Sequence, residues 1–132
     1  MALMTIAKGR SKITETIFEN RMNHVELLNQ MGSSITLKNN IAYINGVKKL
    51  RGRTLVGLDL RSSAALIIAA LTSNSISYVY GLEHLDRGYE NFELKLSGLG
   101  IKIKRQKTDN VNIIDEQNSN LNKKDLSEIK AA

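Results

Sequence analysis

Three short charged clusters hold the residues of this chain best suited to chemistry: Glu19-Asn20-Arg21, Asp59-Leu60-Arg61 and Asp86-Arg87-Gly88-Tyr89-Glu90. Each stands where a stretch that reads as a β-strand hands over to one that reads as a helix. Such junctions collect ligand-contacting residues, because their loops converge at one end of a sheet. Helix starts also present unpaired N–H groups and a partial positive charge, which favour anions. A guanidinium binds phosphate or carboxylate with two parallel N–H bonds. Arg21, Arg61 and Arg87 therefore make a candidate site for a phosphorylated or carboxylated ligand. Each cluster also has a plain structural duty open to it. Asp59 suits a helix N-cap worth about 1 kcal/mol. Arg87 stands three residues before Glu90, a helix-surface pair worth about 0.2–0.5 kcal/mol. Arg21 suits solvent.

Other chemistries are excluded by what the chain lacks. It has no Cys, so it supplies no disulfide, thiolate metal site or cysteine nucleophile. Its two histidines, His24 and His84, are 60 residues apart, which excludes a two-histidine zinc motif. They read as surface or helix-start residues. Gly98-x-Gly100 closes a helix instead of opening one, so it is no nucleotide loop. Neither a metal nor a cofactor is expected.

The elements that must position the clusters follow from periodicity and punctuation. Met1–Lys8 reads as a helix ended by Gly9, and Lys12–Phe18 as a strand rich in β-branched residues. In 24–31, Val25, Leu28 and Met31 fall at helical spacing, with Gly32 as the stop. Ser34–Lys38 and Ile41–Asn45 flank Asn39-Asn40, a hairpin signal. Residues 53–58 read as a strand, with Asp59 capping a helix through 63–71. That helix is apolar on nearly every side and must be buried on nearly every side. Residues 76–80 form the next strand, 86–97 a second amphipathic helix, and 101–105 another strand.

An echo runs through the chain. Leu28 to Gly32 followed by Ile35 matches Leu96 to Gly100 followed by Ile103 at an offset of 68, and Asn40-Ile41 matches Asn110-Val111 at 70. Two small repeated units sharing one core are implied, with an α/β or α+β fold. Residues 1–105 carry 15 Lys+Arg against 8 Asp+Glu, whereas 106–132 carry 4 against 5. The excess charge thus belongs to the folded body, and residues 106–132 read as a divergent tail. Within it a short strand is expected at 111–114 and disorder in the remainder.

The chain has 132 residues, a net charge of +6, and only two Phe and four Tyr. One domain is the length expectation. A basic body with few rings suits small anions at least as well as nucleic acid, whose single strands need stacking platforms. The longest apolar run, Ala64–Leu71, is far short of the roughly 20 residues that span a bilayer. No membrane contact is expected, and a cytoplasmic location is.

Glu15-Thr-Ile-Phe-Glu-Asn-Arg21 with His24-Val25 and Met31-Gly32 resembles the UDP-N-acetylglucosamine enolpyruvyl (1-carboxyvinyl) transferase family. So do Asp59-Leu-Arg-Ser-Ser-Ala-Ala-Leu66 and His84-Leu-Asp-Arg-Gly-Tyr-Glu90, ending in Lys95-Leu96 and Leu99-Gly100. The match covers about residues 1–105 and corresponds to the carboxy-terminal stretch of that family alone. The resemblance implies part of an enzyme of peptidoglycan precursor synthesis. That enzyme transfers the enolpyruvyl group of phosphoenolpyruvate to the 3′-hydroxyl of UDP-N-acetylglucosamine. The implied fold is built of βαβαββ units, here an incomplete domain. Carried over position by position, Ile17, Phe18 and Arg21 resemble residues near the UDP-sugar. Asp59 and Arg61 resemble a cleft pair, and Arg87 resembles the arginine that meets phosphoenolpyruvate.

By the same resemblance, the general-base aspartate, a lysine motif and an acid cysteine belong to the amino-terminal part. The 3′-hydroxyl must lose a proton and the methylene carbon must gain one, and both steps need positioned groups. The chain alone is therefore expected to be inactive. It would act with a separate amino-terminal portion, or persist as a non-catalytic remnant that binds UDP-sugar or that portion. Loss of a neighbouring unit is further expected to uncover the 63–71 helix, leaving the chain marginally stable.

Overall fold

The computed structural model describes residues 1–107 and 127–131. Its elements are a short 3-10 helix at Ala2–Thr5, then β1 (Arg10–Thr14), α1 (His24–Gln30), β2 (Ser34–Lys38), β3 (Ile41–Asn45) and β4 (Thr54–Val56). There follow α2 (Leu60–Ala70), β5 (Ser77–Tyr80), α3 (Leu82–Asp86), α4 (Phe92–Gly98), β6 (Ile103–Lys107) and β7 (Ser127–Ala131). They form two sheets, ordered β1-β3-β2 and β4-β5-β7-β6. Among the described strands β4 and β5 pair in parallel, as a strand–helix–strand crossover through α2 requires, and the other strand pairs are antiparallel.

The two sheets are variations on one unit. In each, a return strand (β3 or β7) lies between a first strand (β1 or β5) and the strand that follows a helix (β2 or β6). The helix endings match as closely. Gly32 and Gly100 take φ of +87° and +86°. Ser33 N–H donates to Leu28 O at 3.3 Å and Ile101 N–H to Leu96 O at 3.4 Å. This is the left-handed glycine stop that satisfies the last helical carbonyls, and it sits at both ends of the 68-residue echo. The mixed α/β architecture with βαβαββ-type repetition is thus present, in partial form. Only the second unit has a complete strand–helix lead-in, β4–α2.

One core serves both units. It runs from Val25, Leu28 and Met31 on α1, through Leu66 and Ile67 on α2, to Val79, Leu82 and Leu85. Helix α2 packs against α1, α3, the 3-10 helix, β5 and β7. The expectation that this helix loses its cover is corrected: Leu66 and Ile67 are 0% exposed, and Ile68 alone among its large apolar side chains is exposed, at 42%. Helices from both units close over it.

Several boundaries differ from the sequence expectations, each for a local reason. Strand β1 ends at Thr14 because the Glu15 carboxylate accepts the N–H groups of Ile17 and Phe18, at 2.8 and 3.3 Å, and turns the chain out of the sheet. The single helix expected over 86–97 is shortened to α4: α3 ends at Asp86, and residues 87–91 belong to neither helix. Gly88 and Tyr89 donate to Leu85 O and close α3, and Asn91, at φ +48°, starts α4. The amino-terminal helix shrinks to one 3-10 turn.

Disorder through the end of the tail is corrected at Ser127–Ala131. These residues form β7, the strand between β5 and β6, because a ladder on either side satisfies their backbone. The strand expected at 111–114 lies outside the described residues.

Candidate functional site

Asp59 and Arg61 are placed by the β4-to-α2 turn. Asp59 is the N-cap of α2: its Oδ1 accepts Arg61 N–H at 2.8 Å and Ser62 N–H at 2.9 Å. Ser62 Oγ in turn accepts Asp59 N–H at 2.9 Å, completing a capping box. Partial burial pushes the Asp59 carboxyl up. The Ser62 and Arg61 N–H groups, the Ser62 hydroxyl and nearby His24 outweigh that and hold it below its usual value. Asp59 is therefore a standing negative charge at neutral pH. Arg61 projects from the first turn of the same helix and is exposed.

Arg87 is brought to the same end by the neighbouring strand. Gly57 N–H donates to Tyr80 O at 2.9 Å, so β4 and β5 finish side by side. Gly57 and Gly81 then approach so closely that a β-carbon on Gly81 would strike the Gly57 carbonyl. From this point one chain runs into α2 and the other into α3. Past α3, Gly88 returns onto Leu60, a β-carbon there lying 3.0 Å from both Leu60 Cδ atoms. The turn bearing Arg87 thus rests on the turn bearing Asp59 and Arg61. Arg87 is exposed, and among the described residues it forms no ion pair with Glu90.

Arg21 sits elsewhere in the same region of chain crossings. Its Cζ lies 3.7 Å from the centroid of the Phe18 ring, a cation–π contact. Both side chains line a cavity of about 480 Å³ walled by the 15–29 segment, β2 and the Asn39-Asn40 turn. Ile17, beside them, is 75% exposed and does not line it. Asp59, Arg61 and Arg87 do not line it either. The link between the two places is His24. Burial pushes its imidazole below the usual value, the charge of the chain's amino terminus adds to that, and Asp59 opposes it. Three residues past Arg21, His24 thus lies within electrostatic reach of the α2 cap.

The structure therefore joins the Asp59–Arg61 and Arg87 clusters through Gly88 and Leu60. It places the Phe18–Arg21 pair in a separate cavity that none of Asp59, Arg61 and Arg87 lines, so the expected three-arginine site is not brought together in one pocket. Sequence reading passed over Glu15, which ties down the 17–18 backbone and whose carboxyl is held low by the Ile17 and Phe18 N–H groups it accepts. It also gave no cavity role to Asn20, Asn23, Asn29, Asn39 and Asn40, reading Asn20 only within a charged cluster and Asn39-Asn40 only as a hairpin turn. Their density over 20–40 was a legible sign, since asparagine tolerates the left-handed backbone that Asn20 and Asn39 adopt. Among the described residues no group of three or more His, Asp or Glu is placed to hold a metal ion. No helix among them is long and apolar enough to cross a membrane.

Comparison with known proteins bears on the family and the fold. The UDP-N-acetylglucosamine 1-carboxyvinyltransferase of Prochlorococcus marinus subsp. pastoris (strain CCMP1986 / NIES-2087 / MED4) is 80% identical over 133 residues, covering 100% of this chain and 29% of that protein. The enzyme of the same name from Prochlorococcus marinus (strain MIT 9515) is 74% identical over 106 residues, covering 80% of this chain and 23% of its own length. The chain thus spans less than a third of the curated relatives it matches. Among solved structures, the enolpyruvyl transferase NikO from Streptomyces tendae superposes with a TM-score of 0.65 at 28% identity, over 71% of this chain and 22% of that one. The family described as EPSP synthase (3-phosphoshikimate 1-carboxyvinyltransferase) matches residues 1–96. With most of its length matched and its repeated strand–helix architecture shared, the chain belongs to this enolpyruvyl transferase family.

Proposed function

We propose that this chain is a carboxy-terminal portion of a UDP-N-acetylglucosamine 1-carboxyvinyltransferase, working in the cytoplasm on a precursor of the cell wall. In the whole enzyme, enolpyruvyl passes from phosphoenolpyruvate to the 3′-hydroxyl of UDP-N-acetylglucosamine, with release of phosphate. The 80% identity to the marine relative over the full length of this chain carries the reading. Arg61 and Arg87 offset the charge on the phosphate and carboxylate of phosphoenolpyruvate, with donors fixed before the reaction begins. Asp59, held ionised by its cap contacts, orders the first turn of α2. Ile17, Phe18 and Arg21 meet the UDP-sugar, the guanidinium already stacked on its ring.

The proton transfers fall to groups outside this chain, so it acts only with an amino-terminal portion. The first sheet supports that partnership. Among the described residues β1 is an outer strand, whereas β5, its counterpart in the second unit, is flanked by β4 as well. The open edge of β1 has the place and direction for a parallel strand leading into a helix, as β4 leads into α2. That strand and helix are assigned to the amino-terminal portion. An unpaired edge favours such a partner because its backbone groups await one.

Phosphate release from the two substrates tests the reading, with this chain alone and with the amino-terminal portion of the marine relative added. Release only in the mixture is expected, and Arg87→Lys should lower it at least tenfold, since an ammonium cannot reproduce a two-pronged contact. Silence in both supports a non-catalytic remnant instead, and release by the chain alone overturns the division of labour.

A further inference from the structure

Arg105 lies on β6, outside the three charged clusters, yet it reaches both ends of the segment that carries Arg87. Its Nη2 donates to Asp86 Oδ1 at 2.6 Å, and its Nη1 stands 3.6 Å from Glu93 Oε1. Asp86 is the last residue of α3, and Glu93 lies in the first turn of α4. Between them, residues 87–91 belong to neither helix and contain the positive φ of Asn91. One guanidinium on a strand thus spans a connection that also rests on the Leu85 carbonyl, the Leu60 side chain and the tilted Tyr89–Phe92 ring pair, whose centroids lie 5.2 Å apart. The strand itself is fixed by its ladder to β7, with Arg105 opposite Ile129.

The two grips are unequal. The Asp86 contact is short, whereas the Glu93 contact is long and incomplete: Arg105 Nε and Glu93 Oε2 are both buried and both without a hydrogen-bond partner. The unused donor and the unused acceptor belong to the same ion pair. The bridge therefore holds the α3 end, next to Arg87, and leaves slack at the α4 end.

We propose that Arg105 is a positioning residue for Arg87, its Asp86–Glu93 bridge fixing the 87–91 turn so that the Arg87 guanidinium is presented at a set place. This rests on the reading of Arg87 as an anion-binding arginine. It adds that the placement is set from a strand nineteen residues past Asp86, by an ion pair that touches no substrate.

The test is NMR on the full 132-residue chain, with two readouts. Nitrogen relaxation of the 87–91 amides reports the turn, and titration with phosphoenolpyruvate, followed at the Arg87 Nε–H signal, reports the guanidinium. Arg105→Gln is expected to raise mobility across 87–91 and to weaken the apparent affinity about three- to tenfold. Arg105→Lys, which keeps the charge and reaches one carboxylate, is expected to restore part of both. Asp86→Asn should act more strongly than Glu93→Gln, following the unequal grips. Lys104→Gln, removing a neighbouring exposed charge, should do neither. Unchanged relaxation in Arg105→Gln overturns the proposal, as does equal weakening by Lys104→Gln. If Arg105→Gln disturbs the signals of Ala42 and Ile44 in the other sheet, the Asp86 and Glu93 variants decide in its place. If Arg87 fails to respond to phosphoenolpyruvate in the unaltered chain, the anion-site reading fails, and the relaxation comparison still decides the bridge.

Discussion

Gly88 rests directly on Leu60, and this contact joins the turn that carries Arg87 to the turn that carries Asp59 and Arg61. Neither arginine touches the other through a hydrogen bond or ion pair; what relates them is packing between the residues beside them. The relative placement of two charges is thus decided by a hydrogen atom where other residues have a side chain.

Gly88→Val should therefore disturb both turns. The added branches must displace the Leu60 side chain, and overpacking of this kind costs about 1–3 kcal/mol. Urea unfolding should show that loss, with Gly88→Ala milder because the Leu60 Cδ atoms are the far end of a flexible side chain.

Asp59→Ala should cost about 0.5–2 kcal/mol, the usual loss for an N-cap with a satisfied box. Asp59→Asn keeps an acceptor for the Arg61 and Ser62 N–H groups and should retain most of the stability. A difference between the two variants in denaturant midpoint checks the cap; equal losses would assign the effect to charge instead.

Stability should fall as pH drops through the ordinary imidazole range. Burial first, and then the charge of the amino terminus, hold His24 below its usual value of about 6.5, against the pull of Asp59. The unfolded chain then binds more protons than the folded one between the two values, so acidification favours unfolding across that window. Below the depressed folded value the loss is complete. Urea midpoints at pH 7.5, 6.5 and 5.5 should decline in the unaltered chain and flatten in His24→Gln. The lowered carboxyls of Asp59 and Glu15 add a separate loss at more acidic pH.

Ile129→Pro should break the second sheet and spare the first. A central strand has no place for a residue without an N–H, and Ile129 faces Val79 on one side and Arg105 on the other. Hydrogen exchange should speed up across β5 and β6 while Ala42 and Ile44 in β3 stay protected.

What could be read in advance was local. Asp59 announced its cap, Asn39-Asn40 its hairpin, and Gly32 and Gly100 their matching helix stops, because each feature is settled within a few residues of sequence. The family resemblance anticipated the repeated fold for the same reason, resting on contiguous strings. What escaped were arrangements settled by distant partners. Ser127–Ala131 has little of a strand's usual composition and is a strand because two others flank it. Arg105 looks like any charged strand residue until α3 and α4 bring Asp86 and Glu93 beside it. The shortening of the 86–97 helix to Phe92–Gly98 lay between these cases. Gly88 was visible, but the positive φ of Asn91 needed the packing around it.

The place of β7 has a consequence for how the chain is made. Among the described strands β6 pairs with β7 alone, and β7 lies between it and β5, yet the residues of β7 leave the ribosome last of these three. The first sheet closes around a two-residue hairpin and can assemble early, whereas β6 has no strand partner among the described residues until the 127–131 segment emerges. Early and late halves of a single core are thereby separated in time. A nascent chain halted before residue 127 would hold β4 and β5 together, with β6 tied to them through side chains, the Arg105 bridge to α3 and α4 and Ile103 against the core, rather than through the β7 ladder.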